Sequence, residues 1–232
     1  FEGAMYPWQV DRKGIEQTPV NCGAYYAIHI IGDIAFSIYR YWELTGDDNF
    51  MMSYGAEILY ETARFWISRC DFNSFDGKYH IFAVRGPNEY DVYVNDNAFT
   101  NMMAAYNLKS VKNVFQKLKD SHPVKFENLF KRLGASQDEI SQFWKVADKL
   151  YIPYNAKMDL YLEDDTYLIR RSLDLKRAKP TKKRIIDSTL PYEALPLYQV
   201  TKQSDTVLLC CLFPHLFTQQ QRENSIGLLC NL

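Results

Sequence analysis

The amino-acid sequence predicts an all-α fold built from helical hairpins, and three observations carry that prediction. Long stretches keep their apolar residues at helical spacing and are joined by short turns. Capping residues stand where those stretches begin and end. Extended-type alternation is confined to a short run at residues 79–84. Helices paired in this way make either a closed toroid of hairpins or an open α-solenoid. Periodicity does not separate the two, but no fixed-length repeat is present, which favours the toroid.

Residues 24–44 are the first predicted helix, stopped by Gly46, with Asp47 and Asp48 as capping acids for the next. The second helix starts near Asp48 and runs through Met51, Tyr54, Ile58, Ala63 and Trp66 to about Arg69, completing an αα-hairpin. Residues 70–91 hold Asp76-Gly77 and the alternating run Tyr79 to Val84, a short hairpin leading into a Gly-Pro loop. A third helix spans 97–119. A fourth spans 137–149, with Ser136 as N-cap and Glu139 placed for a capping box. A fifth spans 200–213. Residues 161–191 swing from acidic (Glu163, Asp164, Asp165) to basic (Lys176, Arg177, Lys179, Lys182, Lys183, Arg184). This run reads first as a solvated loop, with phosphate attraction by the basic residues as the sharper alternative.

The chain has 232 residues, 47% of them hydrophobic, and a formal net charge of −1. That suits one well-packed domain or a large piece of one, and gives no electrostatic ground for a nucleic-acid or anionic-membrane partner. No apolar run approaches the roughly 20 residues that span a bilayer. The chain begins at Phe1 without an initiator Met or a signal-peptide pattern, so a cytoplasmic protein and an excised or fragmentary segment are expected. Five cysteines lack metal-ligand spacing and read as reduced core thiols; His29, His80, His122 and His215 are scattered, so no metal site is expected. Asp33 and Asp47 read as caps or core hydrogen-bond partners. Glu57 and Glu61 share a helix face and read as a structural pair answered by Arg64.

Chemistry concentrates in two places. In Arg85-Gly86-Pro87-Asn88-Glu89-Tyr90-Asp91, one carboxylic acid sits in a rigid loop ahead of a helix, where Tyr90 and Tyr93 can desolvate it and Asn95, Asp96 and Asn97 supply polar support and a cap. Glu89 is thus a candidate general acid. Near the amino end, Trp8 and Gln9 stand together after Pro7, an indole that can stack on a sugar ring beside an amide that can meet its hydroxyls; an anchoring Trp is an equally good reading.

Six separated motifs then occur in one order: Gly3-Ala4-Met5-Tyr6-Pro7-Trp8, the run His29 to Ala35, Thr45-Gly46-Asp47, the run Gly55 to Trp66, Gly86-Pro87-Asn88-Glu89-Tyr90, and Thr201-Lys202-Gln203-Ser204-Asp205. Together they resemble glycoside hydrolase family 65, the family of maltose, trehalose, kojibiose and nigerose phosphorylases, over about residues 1–220. The resemblance implies that residues 1–232 form a partial catalytic domain of (α/α)6-barrel type, without the family's amino-terminal β-sandwich and small carboxy-terminal β-domain. It implies inverting phosphorolysis of an α-glucosidic disaccharide to β-glucose 1-phosphate, with inorganic phosphate as co-substrate and no cofactor. It places Glu89 on the family's general acid, Trp8 in the glucose pocket, and Lys202 with Gln203 on the pair that contacts the sugar. Homodimers are common among full-length members.

A single acid fits that reaction, because phosphate is already anionic and attacks without a base carboxylate. Protonation near neutrality then calls for a desolvated Glu89 with a raised pKa. Three positions depart from the family pattern: Asn88 where Asp is usual, Asp91 where His is frequent, and Gln9 where maltose and kojibiose phosphorylases often carry Glu. The family's phosphate loop, containing His and Ser-Ser, does not follow Lys202-Gln203, so a truncated product with little phosphorylase activity of its own is expected. The alternatives are a trehalase-type hydrolase and a non-catalytic sugar-binding remnant.

Overall fold

A computed structural model of the chain describes residues 1–19, 24–173 and 190–230. The predicted helical class holds: the described residues form a partial toroid of helices with two small two-stranded hairpins. Helix α1 is His29–Thr45, later than the periodicity suggested, because Ala24–Tyr26 forms a separate 3₁₀ turn. It ends as expected at Gly46, whose φ of 64° is open to glycine and whose N–H reaches the Trp42 carbonyl at 2.8 Å. Asp47 then caps α2 (Asp48–Phe50) by accepting from the Phe50 N–H at 2.9 Å.

The second predicted helix is continuous in path but not in winding. A π-turn at Met51–Gly55 separates α2 from α3 (Ala56–Arg69). Gly55 sits where a Cβ would meet Met51 Sδ at 2.7 Å and Ile38 Cγ2 at 3.2 Å, so this turn presses its backbone against α1. Strands β1 (Asp71–Asn73) and β2 (Lys78–His80) pair antiparallel, Asp71 opposite His80. Strand β2 stops before the predicted Val84. The Ile81 N–H donates to Asp96 Oδ1 and the Ala83 N–H to Asn95 Oδ1, so side chains of the next loop take donors a strand would have used. Ala83 itself has φ of 50°.

Helix α4 (Ala98–Ser121), capped by Asn97 on the Thr100 N–H at 2.9 Å, is the axis of the fold and packs on α1, α3 and α6. Helix α5 (Pro123–Arg132) went unpredicted, with Pro123 in the first turn where its missing N–H costs nothing. Helix α6 (Gln137–Lys149) matches its prediction, and Ser136 Oγ accepts from the Glu139 N–H at 3.1 Å. The Glu139 carboxylate turns instead to Arg64 Nε at 2.6 Å and to the Tyr60 hydroxyl. Strands β3 (Tyr154–Asn155) and β4 (Leu160–Tyr161) follow. Helix α7 (Asp205–Leu212) begins five residues after the predicted start, at the Ser204 cap, and α8 (Gln219–Cys230) closes the described chain.

The core between α1, α3, α4 and α6 is apolar and dense, with Tyr60, Phe65 and Trp66 fully buried. A second cluster of Phe99, Met103, Leu209, Phe213 and Phe217 joins α7 to α4. Glu61 answers Arg64 at 2.8 Å as expected, but Glu57 pairs with Arg132. Cys70 and Cys210 are free thiols turned inward, burial pushing Cys70 up to about 12. Cys211 is exposed, against the expectation of a core thiol. Among the described residues no helix is long and apolar enough to cross a membrane, and no group of three His, Cys, Asp or Glu side chains could hold a metal.

In the acidic stretch the solvated-loop reading fails for Glu163 and Asp164, while Asp165 is exposed as that reading expects. Glu163 and Asp164 are buried, Asp164 against Arg170. The basic run 176–184 lies outside the described residues.

Candidate functional site

The loop carrying Glu89 is built from both ends of the chain. Val84 and Val94 exchange backbone hydrogen bonds at 2.8 and 3.0 Å, closing a loop that presents residues 85–93. Arg85, buried, donates from Nη2 to the Glu89 carbonyl at 2.6 Å and lies 3.9 Å from Glu89 Oε2. The same guanidinium stacks over the Trp8 indole at 5.7 Å. Trp8 therefore reaches the acid through Arg85.

From the other end, residues 202–205 grip the loop. Lys202 Nζ pairs with Glu89 Oε2 at 2.7 Å, and the Lys202 N–H donates to Asn88 Oδ1 at 2.9 Å. Gln203 Nε2 donates to the Pro87 carbonyl. Of the predicted site residues, Trp8, Glu89, Lys202 and Gln203 thus come together. Gln9 is exposed, held through its backbone to Thr18 and Gln17, and no described contact brings it to Glu89.

The expected raised pKa of Glu89 is not found. The hydrogen bond and charge of Lys202 hold its carboxyl below the usual carboxylate value, and Arg85 adds to the effect. Desolvation is too weak to reverse this, because the Glu89 side chain remains about a third exposed (35%). The two tyrosines expected to shield it are engaged elsewhere. Tyr90 packs with Leu195 and Val200, and Tyr93, at φ of 60°, turns outward edge-to-face on Tyr26.

Beneath the loop lies a block of buried polar groups. Asn88 Nδ2 donates to Asp91 Oδ2 at 2.8 Å, and Asp91 Oδ1 accepts from Arg170 at 2.5 Å. Burial pushes Asp91 up to about 7 despite that partner. Two of the three departures from the family pattern, Asn88 and Asp91, meet here: an Asp at position 88 would set carboxylate against carboxylate, whereas Asn88 brings a donor. Glu163 accepts from the Asp205 N–H at 2.8 Å and from Thr206 Oγ1 at 2.9 Å, and so caps α7. Asp33 is no cap; its carboxylate faces His29 Nε2 at 3.9 Å on α1, and burial raises it to about 7. His29, kept neutral by burial, bonds the Arg85 carbonyl through Nδ1 at 3.1 Å.

Sequence reasoning missed Arg85, Glu163, Arg170 and Asp205. Asp205 stood within the recognised run 201–205 and Glu163 within the acidic run, but nothing in the sequence marked either as buried, and Arg170 left no signal.

The comparison with known families decides what this arrangement belongs to: residues 1–227 match the glycosyl hydrolase family 65 central catalytic domain. The chain belongs to glycosyl hydrolase family 65. Within that family it is 31% identical to a kojibiose phosphorylase of Halothermothrix orenii over 97% of its own length and 30% of the relative's. It is 34% identical to an alpha,alpha-trehalose phosphorylase of Geobacillus stearothermophilus over 97% of its length and 28% of the relative's. A solved human-microbiome protein assigned as a kojibiose phosphorylase superposes with a TM-score of 0.82 at 24% identity, covering 99% of this chain and 30% of that one, and shares its fold. The family 65 chain described here thus spans about 30% of the length of these relatives.

Proposed function

We propose that this chain supplies the acid-bearing part of the (α/α)6-barrel of a disaccharide phosphorylase, which cleaves an α-glucosidic bond with phosphate and releases β-glucose 1-phosphate. The observation that carries the reading is the mating of the Glu89 loop with Lys202 and Gln203. One carboxylic acid stands there with cationic and amide groups suited to a sugar. The names of the family 65 relatives, phosphorylases of kojibiose, trehalose and glucosylglycerol, support the reaction class.

In this mechanism Glu89 donates a proton to the leaving glycosidic oxygen while phosphate attacks the anomeric carbon from the opposite face. The ion pair with Lys202 sets a condition on that step. Glu89 is held as a carboxylate until Lys202 finds another anionic or hydroxyl partner, and a bound sugar offers one. Substrate binding then both draws Lys202 away and shields Glu89, so proton uptake is tied to an occupied site. Trp8, fixed over Arg85, offers the flat face on which a pyranose stacks.

The test is to incubate the complete gene product with α-linked glucosides, with and without phosphate, and to follow glucose 1-phosphate and free glucose. Phosphate-dependent β-glucose 1-phosphate is expected. Free glucose alone means a hydrolase, and sugar binding without turnover means a remnant. Glu89→Gln is expected to lower kcat by about 10²–10⁴-fold while sugar binding persists; unchanged turnover eliminates the acid role.

A further inference from the structure

We infer that Asp205, the first residue of α7, is a positioning residue that sets the height and direction of Glu89 through the peptide just before it. This rests on the proposed role of Glu89.

Asp205 is fully buried, and both of its carboxylate oxygens are used on the loop side. Oδ1 accepts from the Asn88 backbone N–H at 2.7 Å, one peptide bond ahead of Glu89. Oδ2 accepts from Asn97 Nδ2 at 2.7 Å, and Asn97 in turn caps the central helix α4. One carboxylate therefore ties the acid loop to the starts of two helices, α7 and α4.

A second, independent observation is the backbone of Gly86. A Cβ at that position would lie 2.0 Å from Asp205 Oδ2 and 2.5 Å from Asn97 Nδ2. The loop approaches the carboxylate as closely as a bare Cα permits, which fixes the distance as well as the direction. Glu163, accepting from the Asp205 N–H, holds the residue at its post from below. An asparagine at position 205 keeps the volume but turns one acceptor into a donor, so either the Asn88 N–H or Asn97 Nδ2 loses its partner and faces an NH₂ group.

The experiment compares the complete gene product with its Asp205→Asn, Gly86→Ala and doubly substituted forms. It reads kcat and KM for phosphorolysis, and the titration of the Glu89 carboxyl by carbon NMR. Asp205→Asn is expected to lower kcat about 100-fold, because small displacements of a reacting group cost that much, and to leave KM within about twofold. The Glu89 midpoint should rise toward the ordinary carboxylate value as Lys202 loses its aligned partner. Gly86→Ala should do the same, and the double substitution should be no worse than the worse single one, since both disturb one contact.

An unaltered Glu89 titration in folded Asp205→Asn protein overturns the inference, as do losses that multiply in the double form. If Asp205→Asn fails to fold, Gly86→Ala decides on the same two readings. A wild-type protein that performs no phosphorolysis sinks the functional reading instead, and the Glu89 titration still decides this one.

Discussion

The apolar core around α3 and α4 and the polar block under the Glu89 loop are both buried, yet they are held by opposite means. In the core, Trp66 and Phe65 are fixed by shape, and any neighbour of similar volume serves nearly as well. In the block, Asn88, Asp91, Asp164 and Asp205 are fixed by particular donors contributed by residues up to 117 positions away. The lesson is one of tolerance. The core degrades gradually as volume is lost, whereas the block fails at once when a single donor is removed, because a buried carboxylate is left without a partner.

Breaking each region at its centre tests that contrast most severely. Trp66→Ala is expected to cost about 3–5 kcal/mol of stability through lost contacts and a cavity. Arg170→Met is expected to cost a similar 3–5 kcal/mol although it preserves apolar bulk, because Asp91 and Asp164 lose their shared guanidinium. Urea titration of both variants checks this. If Arg170→Met proves as stable as wild type, the block is not held by its ion pairs and the contrast falls.

A smaller effect sharpens the functional side. Lys202→Met removes the charge that holds the Glu89 pKa down, so the carboxyl keeps its proton to higher pH. The alkaline limb of kcat/KM should move upward in pH relative to wild type, even as the variant loses sugar affinity. A limb that stays in place or moves down would show that Lys202 does not control the acid.

The smallest expected effect lies at the junction between the two regions. His80 stands between Asp96, at 2.7 Å from Nδ1, and Asp76, at 3.0 Å from Nε2. Burial works against its charge, but the hydrogen bonds and charges of the two aspartates outweigh it and raise the His80 pKa above 6.5. A pKa raised on folding means stability that is complete below about 6.5, the unfolded value, and declines as pH rises through the folded one. Thermal melts from pH 6 to 9 should show a decline that His80→Phe removes; equal slopes in the two proteins would assign the decline elsewhere.

The core was legible in the sequence because its rules are local. Helix α6 could be read from Ser136 and a helical run of apolar residues, and the end of α1 from Gly46. Helix α5 was missed because Pro123 reads as a breaker unless its place in the first turn is known. The block was largely illegible. Glu163 and Asp164 look like solvated acids until Ser204, Thr206 and Arg170 are brought to them, and no window around residue 163 contains all of those partners. The Glu89 pKa was misread for the same reason: its nearest charge lies on Lys202, 113 residues onward, and the neighbouring tyrosines face away.

The separation between Asn88 and Asp205 also orders events in time. Residues 29–149, which hold the apolar core, are complete before the ribosome reaches α7. At about 5–20 residues per second, the 117 residues between Asn88 and Asp205 take about 6–23 s to make. In the later part of that interval, once helix α6 has been made, the nascent chain can bury its aromatic core while the Glu89 loop waits for the grip that will hold it. Proteolysis of stalled ribosome complexes should therefore cut within residues 85–94 before residue 205 has emerged, and spare them afterwards.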